Sequence, residues 1–352
     1  MAEGLQRGEI VRVAGQRNER AVEVGGQHAR RNLGIWLENT HKKPILEINQ
    51  MKRAENAGSA GAEQPVPVLV FGEVLIDGFP DGRRVLGGAP FNVAWGLKGF
   101  GQDPVLVGAV GEDPDGRRIR DRMAAWGLRR EGLQTDPAHS TGEVKIELND
   151  GEPRYDICRP RAWDFVADAG FRAEKLLYHG LLALRGETSR KTFAAIRERS
   201  VGAIRFFDVN LRPPYDSPDV LRTWMQGADW LKLNIGELNA VLGETAISFA
   251  GCEAQLDRLR SEYGVRNVLL TAGAEGLRIR GEYGEAIRSP APPPAHLVDT
   301  VGAGDSISAV AIDGILRGAS ARDIAEGAGR FASKICGLQG AITGEKEFYR
   351  HE

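Results

Sequence analysis

Asp299-Thr300-Val301-Gly302-Ala303-Gly304-Asp305-Ser306 runs straight into an apolar helical pattern made by Ile307, Val310, Ala311, Ile315 and Leu316. Gly302, Ala303 and Gly304 carry little or no side chain. A helix that starts here leaves backbone N–H groups unpaired and unobstructed, which is a site for an anion. Asp305 places a carboxylate beside it. An anion hole with an adjacent base suits transfer of a phosphoryl group to a hydroxyl. The residues alone leave a second reading open, in which Asp305 caps the helix and the glycines only make a turn.

The elements that would hold this segment alternate along the chain. Val68-Leu69-Val70-Phe71 is a continuous apolar run, as in a strand buried on both faces, and Val105 to Val110 is the next. Further strands are predicted at Lys175–His179, Ile204–Val209, Trp230–Leu233 and Val268–Thr271. Pro90 opens a helix through Phe91, Ala94, Trp95 and Leu97 that stops at Gly99 or Gly101. Other helices are predicted at Asp115–Trp126, Ser189–Arg199, Pro218–Met225, Gly236–Leu242, Cys252–Tyr263, Gly304–Arg317 and Arg322–Cys336. Such alternation predicts a mostly parallel central sheet with helices on both faces, a three-layer α/β/α sandwich. One segment departs from it. Glu143 to Leu148 alternates strictly between charged and apolar residues, Asn149-Asp150-Gly151 reads as a turn, and Arg154 to Ile157 resumes the pattern. This is an antiparallel hairpin, read as part of a small β lid over the strand ends. Its apolar face, Val144, Ile146 and Leu148, needs a cover from substrate, the main domain or a second subunit.

The composition excludes several classes. The 352 residues hold 46 Lys and Arg against 48 Asp and Glu, a net charge of −2, with no basic stripe. Nucleic acid is therefore not an expected partner. Apolar runs end after about ten residues, too short to span a bilayer, and no signal peptide opens the chain, so no membrane association is expected. Cys158, Cys252 and Cys336 are odd in number and widely spaced, which argues against a disulfide framework and a zinc site, and for a reducing, cytoplasmic setting. Residues 1–64 are Arg-, Glu- and Gly-rich and weakly periodic, and read as a disordered or poorly structured leader. Met51 offers an alternative start. The catalytic domain is expected over 65–350, with the lid drawn from about 74–88 and 140–160.

No G-x-x-x-x-G-K-[ST] sequence occurs, and no G-x-G-x-x-G follows a strand. Phosphate handling falls to the Gly302–Asp305 helix start. Asp299-Thr300-Val301-Gly302-Ala303-Gly304-Asp305 resembles the C-terminal signature of the phosphofructokinase-B, or ribokinase-like, carbohydrate kinases. Gly87-Gly88-Ala89-Pro90-Phe91-Asn92-Val93-Ala94, followed by Leu106 to Gly116, resembles a second signature of that family far upstream. Gly72-Glu73 with Asp77, the Pro80-Asp81-Gly82 turn and Asp208-Val209-Asn210-Leu211-Arg212-Pro213 are most like bacterial fructokinase-type members. The resemblance runs from about Val66 to Tyr349.

What the resemblance implies can be set against chemistry. Asp305 would take the proton from the attacking hydroxyl, and the amides of Ala303, Gly304 and Asp305 would hold charge on the transferred group. A helix start is expected to lower the carboxyl's pKa, which matters little in a loose transition state. Arg212 would reach a phosphate oxygen. Asp77 would accept from sugar hydroxyls, Gly87 and Gly88 would admit the sugar, and Asn92 would bind it; Glu152 and Arg159 are further substrate candidates. Asn234, Thr271, Gly273, Gly276 and Ser333 would line the nucleotide. Glu237 would order Mg²⁺ through water, although Asn234-x-x-Glu237 also reads as a capping box. Asp299, Val301 and Gly340 would surround a monovalent cation such as K⁺.

The expectation is an ATP- and Mg²⁺-dependent kinase of a small carbohydrate, fructose or a similar ketose, able to form a homodimer through the lid. Alternatives within the class are nucleoside, aminoimidazole riboside or sugar-acid kinases. A catalytically silent homologue would be expected to lose the signature Asp or glycines. A Rossmann oxidoreductase lacks its glycine fingerprint here.

Overall fold

In β1 (Gln64–Phe71), Val68 and Val70 face one apolar layer while Leu69 and Phe71 face another, as a period of two requires. Strand β4 (Pro104–Gly111) behaves alike: Val105, Val107 and Ala109 point to one side, Leu106 and Val110 to the other. These strands lie at the centre of the molecule because both faces are apolar. The computed structural model describes residues 63–149, 152–215, 217–282 and 286–350, with backbone alone for 147–149 and 152–154. Apart from Glu63 and Gln64, the leader therefore lies outside the described residues, as do Asp150 and Gly151 of the expected turn. Gln64 itself belongs to β1.

The remaining strands are β2 (Leu75–Gly78), β3 (Arg84–Gly87), β5 (Leu133–Asp136), β6 (Gly142–Asn149), β7 (Glu152–Ile157), β8 (Phe171–His179), β9 (Ile204–Asp208), β10 (Trp230–Asn234), β11 (Asn267–Thr271), β12 (Leu277–Arg280) and β13 (Ala286–Ser289). The helices are α1 (Ala89–Gly99), α2 (Pro114–Trp126), α3 (Glu187–Arg199), α4 (Pro218–Met225), α5 (Ile235–Leu242), α6 (Glu253–Tyr263), α7 (Ala303–Arg317) and α8 (Ala321–Ile335). A nine-stranded sheet runs β13-β12-β11-β10-β9-β8-β1-β4-β5. It is parallel from β5 to β11, and β12 and β13 add an antiparallel edge. The α/β/α class expected from the alternation is what the chain forms. Strands β5, β12 and β13 were not foreseen: each has only four residues, and Leu277-Arg278-Ile279-Arg280 gives too short a pattern to stand out. No helix among the described residues is long and apolar enough to cross a membrane.

A second, four-stranded sheet runs β3-β2-β6-β7. Leu75, Val144 and Ile146 pack with Trp163 and Leu182 of the main body, and Tyr215 lies against the same cluster. The main body thus covers Val144 and Ile146 of the hairpin's apolar face; the side chain of Leu148 lies outside the described residues.

The helix ends obey local chemistry. Asp113 caps α2 by accepting the Gly116 N–H at 2.8 Å, Pro114 opens that helix and Gly127 closes it in the left-handed conformation. Helices α1 and α7 cross closely. A Cβ on Gly96 would lie 2.9 Å from that of Ala309, so the small residue lets the axes approach and brings Asn92 to the start of α7. Leu69 is fully buried in β1. Leu69→Ala is expected to cost about 2–5 kcal/mol, through lost burial and a residual cavity, seen in urea unfolding as a lower midpoint with an unchanged slope.

Candidate active site

The chemistry-bearing residues gather where β1, β9 and β10 end, at the mouth of α7, which is where open α/β sheets bind ligands. Gly302 stands before α7 with φ 81°, and no side chain caps the helix. Ser306 N–H closes on Gly302 O at 2.8 Å, and Ala303 N–H turns to Thr300 O at 3.3 Å. The expectation of three open amides is thereby narrowed to those of Gly304 and Asp305. A side chain at 302 would run into Ala341, so this glycine serves packing.

Asn92 Nδ2 donates to Asp305 Oδ2 at 2.8 Å. Asn92 Oδ1 is buried with no partner among the described residues. The Asn side chain therefore orients the carboxylate and keeps an acceptor in reserve. Burial raises the Asp305 pKa above the ordinary carboxylate value; the Asn92 bond opposes this, Asp208 adds to it, and Lys232 and Arg212 oppose it. This reverses the sequence expectation. Desolvation outweighs the helix start, and Asp305 becomes a better base than a solvated Asp.

Asp77 lies on β2, half-buried, with its pKa raised to about 6 by burial, lowered by Arg212 and raised by Asp305. A Cβ on Gly87 would come within 2.6 Å of Asp77 Oδ2, so Gly87 makes room for this carboxyl. Gly88 has φ 106°, and a Cβ there would sit 2.6 Å from Glu73 O. Arg212 is exposed, bonds Leu211 O at 2.7 Å, and exerts its charge on Glu73, Asp77 and Asp305 together. It follows Asn210, a non-glycine residue at φ 38°.

Asn234 and Glu237 form the capping box. Asn234 Oδ1 accepts the Glu237 N–H at 2.9 Å, and Glu237 Oε2 accepts the Asn234 N–H at 2.8 Å. Glu237 Oε1 also accepts the Leu211 N–H at 2.9 Å. No cluster of three or more His, Cys, Asp or Glu residues could hold a metal directly among the described residues. With both oxygens engaged, Glu237 fits outer-sphere contact to a hydrated Mg²⁺ and not an all-protein cage. Thr271 is the cross-strand neighbour of Asn234. Gly273 (φ 54°) faces open space, whereas a side chain on Gly276 would strike Ser289 O, so Gly276 serves the β11–β12 corner. The Ser333 hydroxyl is engaged by Pro292 O. Asp299 accepts N–H groups from Val301 (3.0 Å) and Gly340 (3.2 Å), which joins the three residues expected around a monovalent cation. Arg159 is exposed, 5.7 Å over the Tyr215 ring. Glu152 begins β7, and its side chain lies outside the described residues.

Glu73, Asp208, Lys232 and Ser308 were not among the expected site residues. Glu73 is 3% exposed, and its Oε2 has no partner among the described residues. Its pKa is raised to about 7 by burial, opposed by its own backbone and by Arg212. Glu73 and Asp208 lie in segments that carry the resemblance, and position after an apolar strand was a further signal. A cavity of about 280 Å³ opens elsewhere, lined by Trp230, Asn267, Ile279, Ile315 and Ile324, but the mutually interacting charges do not gather there.

Residues 72–347 match the pfkB family carbohydrate kinase description. The chain belongs to this family. It is an ATP-dependent sugar kinase, a phosphotransferase with an alcohol acceptor. It is 32% identical over 302 residues to a fructokinase from Klebsiella pneumoniae, covering 78% of this chain and 95% of that one. Among solved structures it resembles a sugar kinase from Pyrococcus horikoshii in complex with ATP (TM-score 0.66, 23% identity, 78% of this chain and 93% of that one). It also resembles a double mutant of Vibrio cholerae fructokinase bound to fructose, ADP and potassium ion (TM-score 0.64, 23% identity, 82% and 99%). These two likenesses bear on the fold.

The raised Glu73 pKa fixes a sign. Between its ordinary value of 4.5 and about 7, the folded protein retains a proton that the unfolded chain has released. Stability attributable to Glu73 therefore falls as pH rises through that window, and the full cost applies above it. Glu73→Gln is expected to flatten this fall and to stabilise the protein at pH 8 by up to about 3 kcal/mol, measured by urea unfolding across pH.

Proposed function

We propose that this chain phosphorylates fructose, with Asp305 as the base that takes the proton from the attacking hydroxyl. One arrangement carries the reading: a desolvated Asp305, oriented by Asn92, beside an uncapped α7 and within electrostatic reach of Asp77 and Arg212. Asp77 accepts from sugar hydroxyls, and Gly87 and Gly88 leave the space it needs. Asn92 Oδ1 is free to accept one more hydroxyl proton. Asp305 receives the proton as the hydroxyl oxygen bonds to phosphorus and the bond to the ADP oxygen breaks. The amides of Gly304 and Asp305, with Arg212, hold the charge on the transferred group. ATP supplies that group, and Mg²⁺ neutralises its oxygens. Asn234, Thr271 and Gly273 line the nucleotide, Glu237 orders water on the metal, and Asp299, Val301 and Gly340 surround a K⁺ site.

The second sheet is read as the lid, and its closure keeps water from competing as acceptor. Tyr155, 61% exposed on β7, lies in the element through which two copies would pair. The catalytic unit runs from the start of β1 at Gln64 to 350, and the residues before it are a leader. The free cysteines fit a cytoplasmic enzyme. The fructokinase names of the relatives favour fructose over other acceptors.

The test is ATP-dependent phosphorylation of a panel of ketoses, aldoses, nucleosides, aminoimidazole riboside and sugar acids, read by product mass. Fructose is expected to give the highest kcat/KM; a nucleoside or sugar acid above it would displace the assignment. Asp305→Asn is expected to lower kcat by about 10²–10⁴-fold while ATP binding, followed by calorimetry, stays near wild type. Wild-type turnover in that variant would remove Asp305 from the base role.

A further inference from the structure

Lys232 and Asp208 form an ion pair whose side chains are 8% and 1% exposed. Lys232 Nζ donates to both Asp208 oxygens at 2.9 Å. Asp208 Oδ2 also accepts the Ser308 hydroxyl at 2.8 Å and the Tyr178 hydroxyl at 3.4 Å. Lys232 and Asp208 are register partners on β10 and β9, and Ser308 is one turn into α7. The pair therefore ties two strands to the helix that opens on the reaction. A Cβ on Gly304 would lie 3.5 Å from Lys232 Nζ, so the ammonium stands about one methyl group away from the backbone of that opening.

Two physical points make this placement informative. Removing an ion pair from water is costly, and apolar replacements often do as well for stability. In addition, a cation at a helix N-terminus has the wrong sign for the helix dipole. It has the right sign for an anion arriving at the same amides. Asp208 offsets the charge while the site is empty, and Lys232 keeps its proton: burial lowers its pKa, but Asp208 and Glu237 more than restore it.

We propose that Lys232 is a positioning residue for phosphoryl transfer: clamped by Asp208 beside Gly304, its ammonium sets a permanent positive charge behind the amides that receive the phosphoryl group. This rests on the reading of the α7 start as the transfer site. Asp305 is faced by Asn92 from α1, Asp208 and Lys232 from β9 and β10, Arg212 after β9, and Glu73 and Asp77 after β1. Of these, Lys232 favours its ionised form and Asp208 opposes it.

The experiment compares wild type, Lys232→Met, the double variant Asp208→Asn/Lys232→Met, and Asp305→Asn, with kcat and sugar KM measured across pH and folding followed by thermal melts. Lys232→Met is expected to lower kcat on the order of tenfold to a hundredfold, with sugar KM within about twofold, because the sugar contacts lie on other elements. Its acid limb of kcat should move to higher pH, since Asp305 loses a cation while Asp208 stays charged. The double variant removes both charges; its limb should return toward wild type while kcat stays low. A purely structural role would lower the melting temperature and leave the limb in place. A folded Lys232→Met with wild-type kcat and an unmoved limb overturns the proposal. If Lys232→Met does not fold, the double variant decides: low kcat at unchanged KM supports the proposal, and wild-type kcat overturns it. Should Asp305→Asn keep wild-type turnover, the transfer-site reading itself falls; an inactive Asp305→Asn beside an unaffected Lys232→Met sinks only the role of Lys232.

Discussion

Desolvated carboxyl groups crowded around one helix mouth are the constraint on which the rest of this structure depends. Glu73 and Asp208 are buried, and Asp77 and Asp305 are half-buried beside them. Burial is the leading cause of the raised pKa of Glu73, Asp77 and Asp305. Such a cluster would repel itself apart unless protons or cations held it together. The protein uses both means. Glu73, its pKa pushed up to about 7 by burial, is largely protonated in mildly acidic solution, Lys232 sits directly on Asp208, and Arg212 acts on the outer acids from the surface.

Holding these groups apart from water requires a rigid floor. The parallel strands supply it because both of their faces are apolar and both apolar layers are filled. Their C-terminal ends are where the backbone ladder runs out and polar side chains must take over. Asp208 closes β9, Asn234 closes β10 and Thr271 closes β11, each at the same edge. Helix α7 is then set over that edge by its crossing with α1, which Gly96 permits. The hydrogen bond from Asn92 to Asp305 follows from this crossing.

Much of this was legible in the amino-acid order, and what was not has physical reasons. Alternating apolar runs and amphipathic segments located most of the strands and helices, because burial on two faces leaves a strong pattern. The four-residue strands β5, β12 and β13 were too short to leave one. The two signature segments pointed to Asp305 and Asn92, which the structure joins by a hydrogen bond. They could not give the direction of the Asp305 pKa, since the helix start is local and visible whereas desolvation is imposed by distant residues. The Lys232–Asp208 pair escaped notice for the same reason: its members lie on different strands and meet only through register. For Asn234-x-x-Glu237, the capping geometry and a water-mediated metal role were both open, and the structure contains the capping bonds.

The glycines of the signature illustrate how one motif divides its labour. Gly302 has a positive φ and lies against Ala341, so its lack of a side chain serves the fold. Gly304, two residues on, meets only Lys232 Nζ, at ordinary contact distance from where a Cβ would be. A methyl group there would fit by volume. It would come into contact with the buried ammonium of Lys232. The requirement at 302 is therefore steric, whereas at 304 the surrounding space does not by itself demand a glycine. One short motif thus answers to different demands at the two glycines of one helix end: close packing at 302, and open space bounded by a buried ammonium at 304.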